Sequence, residues 1–154
     1  MSSAAEQLAA LGLTLPPVTA PVAAYVPAVR TGSYVYVSGQ LPVVDGKLSA
    51  TGKVGDAVSA QDAAGLARTC ALNALAAAAE AAGGLDAIVR IVKVLGFVAS
   101  APGFNGQPQV VNGASELLIE VFGEAGRHAR SAVGVAELPL DAPVEVELIA
   151  EVRA

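Results

Sequence analysis

Histidine, cysteine, tryptophan and positive charge are all scarce in this chain, and each scarcity closes off a class of function. One His and one Cys in 154 residues cannot build a His-rich metal site or a thiolate zinc cage, and the lone Cys70 has no partner for an intrachain disulfide. Tryptophan is absent and aromatics make up 4% of the chain, which removes aromatic cages and base-stacking platforms. Nine Lys and Arg against 14 Asp and Glu leave a formal charge of -5, with no basic cluster to offset it, so a nucleic acid partner is not expected. Also missing are G-x-G-x-x-G, a Walker-type phosphate loop, G-x-S-x-G and H-E-x-x-H.

Charge is absent altogether from Gln7 to Val29, a stretch long enough to cross a bilayer. Pro16, Pro17, Pro21 and Pro27 interrupt any such helix, and no Lys or Arg precedes Arg30 to start a signal peptide. No membrane association is therefore expected, and the cysteine usage fits a reducing cytoplasm. What the chain does have is aliphatic surface: 54% of its residues are hydrophobic and its mean hydropathy is +0.58. In a chain of one-domain length, that excess predicts apolar surface hidden by self-association.

The pattern predicts an α+β fold. Ser3 and Glu6 have capping-box spacing and open a short helix that Gly12 can close; a proline-rich arm follows. Val26 to Arg30 and Ser33 to Ser38 read as a hairpin around Thr31-Gly32, and Asp45-Gly46 leads into a third strand, Lys47 to Val54. Ser59 caps an alanine-rich helix from Ala60 to Ala82, ended by Gly83-Gly84. Ile88 to Phe97 reads as a central strand. Val110, Ala114, Leu117, Leu118 and Val121 mark the apolar face of a second long helix ending near Phe122-Gly123. Ala132 to Glu137 and the alternating Val144 to Val152 complete the order β-β-β-α-β-α-β-β: a mixed sheet with two helices on one face and an apolar, helix-free face on the other.

Carboxylates, arginines, hydroxyls and backbone amides remain to carry chemistry. Arg130, where a glycine-rich helix exit turns into a strand, can clamp a carboxylate with two parallel bonds, or simply pair with a glutamate. Glu145 and Glu147 share a strand face about 7 Å apart, close enough to raise the pKa of one and suit it to acid-base work; the alternative is a solvated acidic face. Ser38-Gly39 offers a hydroxyl and a close backbone approach, or else a bulge. Tyr25 in the arm can cover a pocket. His128 shares a face with Arg130 on an extended chain, and Asn112 on the second long helix is a ligand contact or a local hydrogen-bonder. Cys70, flanked by Ala and Leu at helical spacing, reads as a core thiol.

Val35-Tyr-Val-Ser-Gly-Gln-Leu-Pro42, Ala129-Arg-Ser-Ala-Val-Gly-Val135 with Leu138-Pro139, and Val144-Glu-Val-Glu-Leu-Ile-Ala150 stand in the order and spacing in which the chain resembles the RidA/YjgF family of reactive-imine deaminases. The resemblance spans Tyr25 to Val152, with residues 1–24 as an N-terminal helix and arm and 25–154 as the family domain. It implies a chorismate-mutase-like α+β protomer in a homotrimer, with ligand clefts between subunits. It further implies that Arg130 binds the substrate carboxylate, Glu145 positions the attacking water, and Tyr25, Ser38, Gly39 and Asn112 line the pocket. Main-chain groups at Ala132 would add contacts where the family often has Cys. His128 replaces the usual proline, and the loop from Ala101 to Gln109 is longer than in the typical imine deaminase, so a shifted substrate range is expected. The implied reaction is hydrolysis of 2-imino acids or enamines to 2-oxo acids and ammonia, without metal or organic cofactor. The alternative is a non-catalytic carboxylate-binding or regulatory protein using the same pocket. An endoribonuclease or translation inhibitor fits the acidic composition poorly.

Overall fold

The computed structural model describes residues 1–18, 20–21 and 23–154. Local chemistry explains most element boundaries. At α1 (Ala4–Ala10) the Ser3 hydroxyl accepts from the Glu6 amide while the Glu6 carboxylate accepts from the Ser3 amide, the reciprocal capping box its spacing predicts. β1 (Ala28–Thr31) and β2 (Tyr34–Gln40) form an antiparallel hairpin. The expected third strand from Lys47 to Val54 is a correction: only a two-residue hairpin forms, β3 (Val43–Val44) with β4 (Lys47–Leu48). The chain then turns through Gly52 and Gly55 at φ of 113° and 93°, conformations a strand cannot use. Val54 is nevertheless fully buried, bridged to Val58 and Ser100.

α2 (Ala60–Ala82) starts at its Ser59 cap and ends at left-handed Gly83, on the bounds read from the sequence. β5 (Ile88–Ala99) follows, then α3 (Gln107–Phe122), β6 (Ala129–Val135) and β7 (Val144–Val152). β6 thus begins three residues earlier than expected, which brings Arg130 into the strand. The main sheet has the order β1-β2-β7-β5-β6; β5 and β6 run parallel and the other neighbours antiparallel.

Both long helices cover one face of this sheet and pack on each other. β7 alternates strictly between buried and half-buried, so Val144, Val146, Leu148, Ala150 and Val152 enter the core while Glu145, Glu147, Ile149 and Glu151 face the other way. The core is aliphatic, with Leu75, Ile91, Leu117, Leu118 and Leu148 its largest fully enclosed side chains. Two glycines allow close packing here: a Cβ on Gly96 would lie 2.7 Å from Val111 Cγ1, and one on Gly113 would lie 2.6 Å from the Ala64 carbonyl carbon. The helix-free face leaves Val29, Tyr34, Tyr36 and Val133 between 42% and 52% exposed, with half-buried Leu95, Phe97 and Ile149 beside them. Among the described residues, no helix is long and apolar enough to cross a membrane.

Candidate functional site

Arg130 is held on the helix side of the sheet's edge. It lies beside buried Val94 in the parallel β5–β6 pair, and Val94 lies beside Leu148, so all three leave the sheet on the same side. There α3 receives the guanidinium. Nη1 donates to Asn112 Oδ1 at 2.8 Å and to Ser115 Oγ at 3.3 Å, and Nη2 donates to the Pro108 carbonyl at 3.4 Å. No carboxylate among the described residues pairs with Arg130, so the salt-bridge alternative is not realised. A guanidinium has five N–H donors. The three bonds to α3 leave two donors directed elsewhere.

His128 stands two residues before Arg130 and reaches the same helix. Its Nδ1 contacts the Gly126 carbonyl at 2.6 Å and its Nε2 contacts Ser115 Oγ at 2.8 Å. Burial pulls the imidazole below its ordinary pKa and the nearby Arg130 charge pulls the same way, while the bond to Gly126 works against both. Ser115 had no sequence signal: a serine among apolar helix positions acquires meaning only when the register of α3 on β6 is known. Ala132, also on the helix side, lies beside Gly96 and packs against the core. Its methyl side chain carries no hydrogen-bonding group.

The second group lies on β2 and β7. The β2–β7 register shifts between Val37 and Gln40, so Ser38 and Gly39 form a bulge, one of the two readings their sequence left open. The Ser38 hydroxyl donates to the Val26 carbonyl at 2.6 Å and its amide donates to the Pro27 carbonyl at 2.8 Å. Ser38 therefore anchors the arm that carries Tyr25, a residue 57% exposed. Gly39 has Glu145 directly over its Cα: a Cβ there would come within 2.8 Å of the Glu145 Cδ and closer still to Oε1. Burial, reinforced by the Glu147 charge, pushes the Glu145 carboxyl above its ordinary value. Glu145 pairs across the sheet with Phe97, on the face opposite the helices.

One chain therefore brings together Arg130, Asn112 and His128, and separately Ser38, Gly39 and Glu145. Arg130 and Glu145 are two strands and three residues apart in register, about 14 Å along the sheet and on opposite faces. A groove of about 490 Å³ on the helix-free face is lined by Tyr34, Arg90, Val92, Arg127, His128, Ala129 and Glu151. Of the residues singled out for chemistry this groove holds His128, and neither Arg130 nor Glu145 lines it. Among the described residues, no group of three or more His, Cys, Asp or Glu could hold a metal ion. Cys70 is buried, its thiol 3.7 Å from the Val144 carbonyl and pushed by burial well above its ordinary pKa, as suits a core thiol.

A family model described as "YjgF/chorismate_mutase-like, putative endoribonuclease" matches residues 5–152. Protein TCP17 of Trypanosoma cruzi is 45% identical over 150 residues, covering 97% of this chain and 94% of that protein. The crystal structure of Atu1372 from Agrobacterium tumefaciens, a protein of unknown function, is 46% identical with a TM-score of 0.90, over 99% of this chain and 94% of that one. E. coli TdcF with bound serine is 30% identical with a TM-score of 0.64, over 88% of this chain and 92% of that one.

Proposed function

Since the chain belongs to the YjgF/chorismate mutase-like family, we propose that it hydrolyses 2-imino acids, or their enamine tautomers, to 2-oxo acids and ammonia at a cleft between two copies of itself. The observation that carries this reading is the state of Arg130: a guanidinium fixed to α3 through three bonds, unpaired with any carboxylate among the described residues, and with two N–H donors to spare. Two adjacent donors of a fixed guanidinium match a carboxylate in geometry and charge. The serine bound to E. coli TdcF is a small amino acid, and it carries the carboxylate that the proposed substrate would present to Arg130.

In this reading Arg130 anchors the substrate carboxylate, backbone groups at Ala132 and Gly39 flank the C2 carbon, and Glu145 holds a water against it. The substrate reacts as the protonated imine: the water oxygen bonds to C2 as the C=N π pair moves to the positively charged nitrogen, and Glu145 accepts the proton released from the water. The carbinolamine then collapses: Glu145 returns its proton to nitrogen, the C–N bond breaks with its electron pair leaving on ammonia, and the C2 hydroxyl passes its proton to solvent as it becomes the carbonyl of the 2-oxo acid. A carboxyl raised above its ordinary value is a stronger base than an unperturbed one, which suits Glu145 to take the proton from the attacking water.

Because Arg130 and Glu145 emerge on opposite faces of one sheet, the reading takes them from neighbouring copies. The exposed Val29, Tyr36 and Val133 supply the apolar contact between copies, and a homotrimer is the assembly we propose. The test uses imino acids generated by an amino-acid oxidase and trapped with semicarbazide. Suppression of trapping supports the enzyme. Binding of 2-oxo acids with no suppression for any side-chain class would instead support a carboxylate-binding protein without turnover.

A further inference from the structure

We propose that Ser115 and His128 are positioning residues that set the orientation of Arg130, an arrangement whose use in catalysis rests on the carboxylate-binding reading above. The directions of the hydrogen bonds follow from their partners. The Gly126 carbonyl can only accept, so His128 Nδ1 carries the hydrogen of the 2.6 Å contact. In a neutral imidazole Nε2 then has a lone pair, and the Ser115 hydroxyl donates to it at 2.8 Å. With its proton committed to His128, the Ser115 oxygen can act toward Arg130 only as an acceptor, and Nη1 donates to it at 3.3 Å. The result is a one-way chain: Arg130 to Ser115, Ser115 to His128, His128 to the Gly126 carbonyl.

The chain has a geometric consequence for the guanidinium. With Asn112 Oδ1 at 2.8 Å, Ser115 occupies the second Nη1 hydrogen, and Pro108 takes one from Nη2. The plane of the guanidinium is thereby fixed by three acceptors on one helix, and Nε–H with one Nη2 hydrogen remains for a ligand. Without Ser115, Nη1 keeps only Asn112, and the plane is held by that bond and the longer 3.4 Å contact of Nη2 with Pro108, which restrain its rotation less.

The experiment uses the full-length protein labelled with ¹⁵N. At pH 7.5 the His128 ring should show a protonated Nδ1 and an unprotonated Nε2, the less common neutral tautomer; an Nε2–H tautomer would overturn the proposal. The Arg130 Nη hydrogens should give separate, slowly rotating signals in the wild type, merge in Ser115→Ala, and separate again in Ser115→Thr. Unchanged Arg130 signals in Ser115→Ala would likewise overturn it. The affinity for 2-oxobutyrate, the probe ligand, should fall roughly tenfold in Ser115→Ala and recover in Ser115→Thr. His128→Gln, which keeps an acceptor near the Nε2 position, should recover more affinity than His128→Phe. A residue that only stabilised the fold would lower Tm without this pattern of rescue. If the spectra behave as stated and the wild type binds no 2-oxo acid, the positioning chain stands and the carboxylate reading of the pocket fails.

Discussion

Replacing Gly39 with alanine moves the Glu145 carboxylate and little else. The new Cβ would stand 2.8 Å from Glu145 Cδ, and ordinary contact begins near 3.4 Å, so the carboxyl carbon must retreat by roughly 0.6 Å or more. The displaced group is the end of a flexible side chain, and forcing it off its preferred rotamer costs about 0.5–1.5 kcal/mol. In a domain of this length, each kcal/mol lowers Tm by about 2–4 °C. Catalysis is less forgiving: misplacing a water-holding base by about 1 Å removes on the order of 10²-fold in rate. Gly39→Ala is therefore expected to lose most imine hydrolysis in the semicarbazide assay while melting within a few degrees of wild type. Gly113→Ala is the contrasting control, because its Cβ would lie 2.6 Å from the Ala64 carbonyl carbon, and backbone cannot swing aside. It should cost about 1–3 kcal/mol of stability or more by overpacking. Full activity in Gly39→Ala, or a stability loss matching that of Gly113→Ala, would refute the assignment of Glu145 as a mobile catalytic carboxylate seated on a glycine.

Arg130→Ala should weaken 2-oxo acid binding by on the order of 10²-fold or more, since two charge-assisted bonds are lost; calorimetry reads the affinity, and an unchanged elution volume shows assembly intact. Glu145→Gln should raise Tm at pH 7 and above. Burial raises the native pKa of Glu145 above its reference value of 4.5, so the native state disfavours the ionised form, and that cost is absent below pH 4.5 and present once pH passes the native pKa. Thermal melts should show the gain vanish at about pH 4; a gain that grows on acidification would contradict the burial of Glu145. Tyr36→Glu places a charge on the helix-free face, opposite Ile149 of the central strand β7. Light scattering should find it shifted to monomer, and a wild-type assembly in this variant would remove that face from the interface.

The long elements were legible because each carries its signal locally. α2 has a serine cap, an alanine run and a glycine stop, and β7 alternates apolar and acidic residues with Ile149 the one interruption. The stretch after Asp45-Gly46 misled for an equally local reason. Its alternation of polar and apolar residues suits a strand, but Gly52 and Gly55 at positive φ turn it into a loop whose Val54 is buried by tertiary contacts no window reveals. Arg130, Glu145 and Gly39 could be selected by residue type and by resemblance. What selection could not supply was sidedness: Arg130 faces the helices because β6 starts at Ala129 and pairs in parallel with β5. Ser115 stayed invisible because its two partners lie 13 and 15 residues away and meet it only when α3 docks.

That sidedness makes a quantitative demand on the assembly. A sheet cannot fold back far enough to bring side chains from its opposite faces to one substrate, so a site using both Arg130 and Glu145 must draw them from two copies. Arg130→Ala and Glu145→Gln homo-oligomers should each be inactive, because every cleft lacks one of the two groups. Unfolding and refolding them together at equal concentrations should restore activity. A cleft is intact only when its arginine comes from a Glu145→Gln chain and its glutamate from an Arg130→Ala chain, so random mixing restores about one quarter of the wild-type rate in a closed ring. Sites built within one chain would restore nothing at any mixing ratio. That result, with mixed oligomers confirmed by native mass spectrometry, would dissolve the link between the apolar face and the chemistry.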